Sequence, residues 1–279
     1  MTHTRSLRHL VPIVVAFAGA LAAQDPAQGL AAARERIRAE VAGLGKDHAW
    51  AGSYYRGDGT GVNIAVDLAP KAGFAFAWSG CLGVYDRNFG TVQEKDGSLV
   101  LTFALPSQFK GPAGLASTLV PVAWGERHYL VASDAMQAFA NEVNGGMEPR
   151  RGVHGFTLLR RGDEAKKAEG KPKLPKEFAD LLLDAPIQGM IVAVRDSRVE
   201  KGEVLTRRFS TAVIDRGTEH GVRVGMRLYV TGARRPSTTI LVKKVEAQTA
   251  LVAIEVLGGD EDKAPTEGWT WSTRAPWAK

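Results

Sequence analysis

The single cysteine, Cys81, lies in the run Trp78-Ser-Gly-Cys-Leu-Gly-Val-Tyr-Asp-Arg-Asn88 and is the one thiol available for nucleophilic chemistry. A thiolate becomes an effective nucleophile beside a histidine base that a carboxylate or amide orients. His48, His128 and His154 are available as bases, and Asp86 or Asn88 as orienters, but no thiol-enzyme signature surrounds the cysteine. A free cysteine at the end of an aromatic run reads more simply as a small buried hydrophobe that reacts slowly. Asp86-Arg87-Asn88, between Tyr85 and Phe89, reads as a turn in which Arg87 can pair with Asp86, or as a polar cluster at the mouth of a barrel. On the second reading Trp78, Cys81, Tyr85, Asp86 and Arg87 are the candidate ligand-binding residues. No residue is assigned a catalytic role.

Other chemistries find less support. The histidines show no H-x-x-H or H-E-x-x-H spacing, and the chain has no C-x-x-C pair or EF-hand loop, so neither metal nor cofactor is expected. No G-x-S-x-G elbow marks a serine hydrolase. Gly57, Gly59 and Gly61 suggest a phosphate loop, but strand follows strand there and no helix opens. Arg56-Gly57-Asp58 and Arg161-Gly162-Asp163 spell the adhesion tripeptide, and in both Gly-Asp is ordinary turn chemistry. The basic residues Lys166, Lys167, Lys171, Lys173 and Lys176 are broken up by Glu169, Pro172 and Pro175 and read as a solvated connection, so no nucleic-acid partner is expected.

The elements that must position these residues are mostly strands. Period-two alternation marks Val62–Leu68, Phe74–Trp78, Leu99–Leu105 and Val120–Trp124, with Tyr129–Ala132 and Phe156–Leu159 as further candidates. Gly57-Asp58-Gly59, Pro70–Gly73, Asp96-Gly97 and Gly125–Arg127 are turn clusters between them. Short spacings and tight turns predict an antiparallel meander closed to remove its edges. Two helices accompany it. Leu30, Ala33, Ile37, Val41 and Leu44 form a helical stripe over Ala27–Leu44 that reads as a brace. Asp134 with Gln137 reads as a capping box opening a helix whose buried stripe is Met136, Phe139, Ala140 and Val143. A strand meander with one late helix is the plan of lipocalin-like barrels. After Pro175 a short helix carries Phe178, Leu181 and Leu182, and a second β region runs from Ile187 to Thr273.

The chain of 279 residues has 44% hydrophobic and 24% charged residues, which excludes a disordered protein and allows two ordinary domains. Arg5 and Arg8, the apolar Leu10–Ala18 and the Ala20-Leu21-Ala22 pattern read as a secretory signal. The apolar stretch to Ala23 is shorter than the ~20 residues a spanning helix needs, so a mature chain that does not span the membrane is expected. The resulting division is signal 1–23, amphipathic helix 24–45, barrel-like domain 46–161, charged linker 162–173, and a small β-barrel domain with a short leading helix at 174–279. The fold class is mainly β.

Two stretches carry resemblances. Trp50–Val92, with Tyr54-Tyr55, Gly57-Asp58-Gly59, Gly73-Phe74, Trp78 and Gly80–Asn88, resembles uncharacterised exported bacterial proteins, which implies a compartment and no activity. Thr211-Ala-Val-Ile-Asp-Arg-Gly-Thr-Glu-His-Gly-Val-Arg-Val-Gly-Met226 resembles the small β-barrel of bacterial cell-shape and flagellar assembly proteins, a module of assembly. Locally, Gly217 and Gly221 relax a tight excursion while Val222 and Val224 are expected to pack inward. Together these imply an exported, non-catalytic bacterial envelope protein that acts through binding or assembly, in periplasm or medium, its partner another envelope protein. The alternatives are a barrel holding a small apolar ligand against Phe74, Phe76 and Trp78, and an enzyme using Cys81. N-terminal sequencing of the exported protein should find cleavage after Ala22 or Ala23; an intact Met1 on exported protein would overturn the signal assignment.

Overall fold

A computed structural model describes residues 25–45, 48–57, 61–106, 115–149, 157–203, 205–231, 238–257 and 264–278. The signal segment, Asp58, Gly59 and His154 lie outside the described residues. The fold is mainly β: an eight-stranded closed antiparallel barrel followed by a smaller closed barrel of six strands.

The first barrel comprises β1 (Gly52–Gly57), β2 (Val62–Ala69), β3 (Gly73–Gly80), β4 (Gly83–Lys95), β5 (Ser98–Phe103), β6 (Thr118–Trp124), β7 (Arg127–Ala132) and β8 (Thr157–Arg160). Each strand pairs with the next, and β8 closes on β1 through Tyr54↔Arg160 and Tyr55↔Leu159. Alternation dictates the inner face: Tyr54, Ile64, Val66, Leu68, Phe74, Phe76, Leu99 and Leu158 all turn inward and are buried. The Asp96-Gly97 turn has positive φ at both residues, 52° and 80°, the geometry that a two-residue hairpin loop requires.

Two helices cover the outer face. α1 (Pro26–Leu44) opens with Asp25 accepting the Ala27 amide at 3.0 Å and carries proline in its first turn. Its Leu30, Ala33 and Ile37 pack on Ala69 and Ala75, the small residues that alternate with the large inward ones. Gly29 allows the close approach, since a Cβ there would come within 2.5 Å of the Phe89 ring. Glu40 also accepts the Lys71 and Ala72 amides of the β2–β3 turn at 2.9 and 2.6 Å. The helix is therefore a brace.

α2 (Met136–Asn144) does not use the expected capping box. The chain leaves β7 through a 3₁₀ turn, Ser133–Ala135, and no side chain caps α2. Gln137 instead reaches Asn141. The tight turn is what folds α2 back onto the outer face of β6 and β7, where Phe139 meets the rings of Trp124 and Tyr129 at 6.3 and 6.0 Å.

Residues 162–173, expected to be a solvated linker, form a strap on the first barrel. Trp124 Nε1 donates to the Gly170 carbonyl at 2.8 Å, Lys173 bridges to Ala123, and Arg127 donates to the carbonyls of Glu164 and Lys166. Asp163 is 2% exposed and accepts from the His128 amide at 2.8 Å, with the His128 ring and Lys166 also against it. Burial removes it from the surface, so Arg161-Gly162-Asp163 is not a presented adhesion tripeptide. Charge alone misled here, because these backbone groups and one carboxylate find partners on the barrel.

After a short helix α3 (Lys176–Ala179), the second barrel is built from β9 (Gln188–Lys201), β10 (Thr206–Ile214), β11 (Arg227–Val230), β12 (Thr238–Val245), β13 (Ala250–Leu257) and β14 (Thr270–Ser272), in the order β10-β13-β12-β11-β14-β9. Ile191, Ala212, Ile214, Leu228, Ile240, Val252, Ile254 and Trp271 fill it. Val222 is buried as expected, but Val224 is 59% exposed. Gly225, with φ 86°, turns the chain so that the inward residue is Met226.

The Asp163 carboxyl has two opposed influences. Burial raises its pKa, but hydrogen bonds from Lys166 and His128 outweigh that and hold it below its ordinary 3.8. A lowered carboxylate pKa contributes stability that is complete above the ordinary value and is lost as pH falls through the folded one. Asp163→Asn is expected to cost about 1–3 kcal/mol at neutral pH and to flatten the acid limb of a Tm-against-pH curve below about pH 4. Thermal melts across pH check this; an unchanged acid limb would mean that the strap contact contributes nothing.

Candidate functional site

In an up-and-down barrel successive turns alternate between two rims. The β2–β3, β4–β5 and β6–β7 turns mark a lower rim with the start of β1, and the β3–β4 turn belongs to the upper rim. All five candidate residues lie on the β3–β4 hairpin at or below that upper rim, and they do not form one site. Trp78 and Asp86 are opposite each other and face inward. With Ile64 beside Trp78 and Arg56 beside Ile64, they make one interior layer. A bulge follows, because the register shifts between Trp78 and Ser79 and leaves Tyr85 without a counterpart. Tyr85 lies across Gly80, where a Cβ would meet its ring at 2.6 Å, and stacks edge-on against Trp78 at 5.3 Å.

Asp86-Arg87-Asn88 is not a turn but the body of β4. Asp86 is 2% exposed and accepts the Arg87 backbone N–H at 2.8 Å, while alternation sends the Arg87 side chain to the opposite face. Asn88 is equally buried. Its amide donates to the Leu105 carbonyl at 2.8 Å and accepts the Leu105 N–H at 3.2 Å, standing in for a ladder pair beyond the end of β5. Polar residues that favour turns are tolerated mid-strand when their side chains are satisfied in this way.

Below the upper rim, Phe74 and Phe76 belong to the packed core. A cavity of about 260 Å³ remains, lined by Phe76, Asp86, Asn88, Phe103, Leu105 and Leu115. It is smaller than the usual range for drug-sized ligands. Burial lowers the pKa of Arg56 in the neighbouring layer below its ordinary value.

Cys81 is exposed, which corrects the expectation of a buried thiol. The aromatic strand ends before it, and the two-residue turn Cys81-Leu82 projects both side chains outward, Leu82 at 88% exposure. Of the three candidate bases, the two that are described, His48 and His128, do not accompany it. His48 precedes β1 and His128 is the second residue of β7, both at the lower rim, about 23 Å away along an eight-residue strand. Each also serves the fold. His48 Nδ1 accepts the Ala51 amide at 2.9 Å, and His128 Nδ1 meets Asp163 at 2.8 Å. Among the described residues no group of three or more His, Cys, Asp or Glu side chains could hold a metal ion, and no helix is long and apolar enough to cross a membrane.

The second barrel carries a larger concavity. On the outer face of β9, β10, β13 and β12 a groove of about 720 Å³ has Phe209, Leu241 and Ala253 among Thr211 and Thr239, with Asp196, Arg198, Lys243 and Glu255 also lining it. Arg198 lies over the Phe209 ring at 5.2 Å. Sequence reasoning missed this groove, although the small outward residues Thr211 and Ala253, facing each other across β10 and β13, are the available signal. Arg56 was read only as part of an adhesion tripeptide, although it shares the inward phase of Tyr54. No known protein family, no curated protein and no solved structure matches the chain.

Exposure makes a direct prediction for the thiol. A water-soluble alkylator should label Cys81 in native protein at a rate close to that in denaturant. Labelling that speeds up many-fold on unfolding would restore the buried thiol.

Proposed function

We propose that the chain is an exported, non-catalytic bacterial envelope protein that acts by binding another envelope protein. The observation that carries this reading is the groove on the second barrel: open, formed on a strand scaffold, and mixing an apolar floor with charges of both signs. Such a surface suits a protein partner better than an enclosed small molecule. The barrel that bears it is fastened to the first one by α2, whose Asn141 binds the backbone of Gly225 and Arg227, and so offers a rigid face. The separation of Cys81 from His48 and His128 weighs against a thiol enzyme, and the resemblance of Thr211–Met226 to assembly barrels points the same way. Export rests on the N-terminal pattern.

A second reading, a small apolar ligand in the first barrel, draws on the 260 Å³ cavity. One experiment addresses both. A photo-crosslinking residue at Leu241, in the groove, should give an adduct in the envelope that the same residue at the exposed Glu35 of α1 does not give. Lys243→Glu should abolish it. Equal patterns at both positions would defeat the groove reading. A small molecule released from the purified mature protein, and lost in Leu115→Trp, would transfer the function to the first barrel.

A further inference from the structure

Among the described residues one edge of β9 is largely unpaired. On the side away from β10 it pairs with β14 only over Gln188–Met190, and Ile191 ends the seam by donating to Trp269 and accepting from Gly268. From Val192 to Lys201 no backbone partner occupies that side among the described residues, while β10 pairs along the other side as far as Lys201↔Thr206. An unpaired strand edge is a template for another strand.

The two halves of this edge differ. Register shifts leave Val192 and Arg195 as bulges, which twist the first half out of line. From Asp196 to Lys201 the ladder is regular. Val199 on this stretch and Leu205, just before β10, are exposed apolar side chains. Val199 is 43% exposed. Arg198 and Glu200 flank it on the other face, both largely in solvent and 3.3 Å apart.

We propose that the Ser197–Lys201 edge pairs with the same edge of a second copy, antiparallel about a two-fold axis through Val199. This goes beyond the partner-binding reading, because the contact is the backbone edge of β9, although Ser197 and Arg198 also line the groove. A two-fold axis that continues a sheet must keep each face on its own side, so residues pair only with residues of the same phase. Centred on Val199, the register sets Val199 against itself, Arg198 against Glu200 of the second copy twice, and Ser197 against Lys201. Centred on Arg198, it would oppose Arg198 to itself and Asp196 to Glu200. Centred on Glu200, it would oppose two glutamates. The register centred on Ser197 pairs Asp196 with Arg198 but draws in the Arg195 bulge. Charges that usually blunt an edge here repel the wrong registers and favour one.

Sedimentation velocity of the mature chain over a range of concentrations tests this. The wild type should show a concentration-dependent dimer that weakens with salt. Arg198→Glu, which opposes glutamates across the axis, should raise the dissociation constant about tenfold or more. The double exchange Arg198→Glu with Glu200→Arg should restore dimerisation, a recovery that misfolding could not produce. Val199→Cys in a Cys81→Ser background should form a disulfide-linked dimer on oxidation, whatever the behaviour of the charge variants. A wild type that stays monomeric throughout, an Arg198→Glu variant that dimerises as well as wild type, or an exchange that fails to rescue would each overturn the proposal. The Leu241 crosslink is read with Arg198 and Glu200 unchanged, because Arg198 also lines the groove, so the two readings fail separately.

Discussion

The arrangement of the molecule depends on one helix that is used on two sides. α2 lays Met136 and Phe139 against the outer face of β6 and β7, and its other side meets the second barrel. Asn141 is 6% exposed and holds two backbone groups: its amide donates to the Gly225 carbonyl at 2.9 Å and accepts the Arg227 N–H at 3.1 Å. One turn later Asn144 does the same for the Leu181 carbonyl and the Leu183 N–H, both at 2.9 Å. Asparagine suits this position because it offers a donor and an acceptor side by side, matching a peptide group. Glu142 adds an ion pair with Arg227 at 2.8 Å, and Ala275 donates to the Gly145 carbonyl at the end of the helix.

This two-sided helix explains why the connection between the barrels is not a free tether. The strap from Gly162 to Lys173 is fastened to the first barrel through Trp124, Arg127 and Asp163, and the chain then passes α3 to the segment that Asn144 grips. Apolar packing contributes strength on one side, while amide–backbone bonds contribute direction on the other. Hydrogen bonds of this kind are modest in net stability but costly to leave unmade once buried, so they fix orientation more than they add strength. The groove and the open edge of β9 are thereby held in a fixed relation to the first barrel.

Much of the strand architecture was legible from alternation. The inward sets Ile64, Val66, Leu68 and Phe74, Phe76 follow from period two, and Asp96-Gly97 and Gly73 from turn chemistry. The candidate site was less legible. The hairpin Trp78–Arg87 was recognised as distinctive, but neither the bulge at Tyr85 nor the exposure of Cys81 follows from composition, since both depend on where pairing stops. The buried Asp86 and Asn88 looked like turn formers because local preference is all a sequence window contains, whereas Leu105 supplies the partner for Asn88 from 17 residues away.

The sequence by itself determined the periodic elements: the alternating strands β2, β3, β5, β6 and β7, the β character of the second region, the α1 stripe that fits the small residues of β2 and β3, and the glycine-punctuated turns. These depend on contacts between near neighbours and on which backbone conformations a residue can adopt. Tertiary structure alone decided that Asp163 is buried, that Val224 points outward, that the outer face of β6 is covered, that α2 clasps a second barrel and that one edge of β9 is unpaired among the described residues. Those outcomes depend on groups far apart in the chain meeting with matched donors, acceptors and shapes, and that matching is absent from any local pattern of residues.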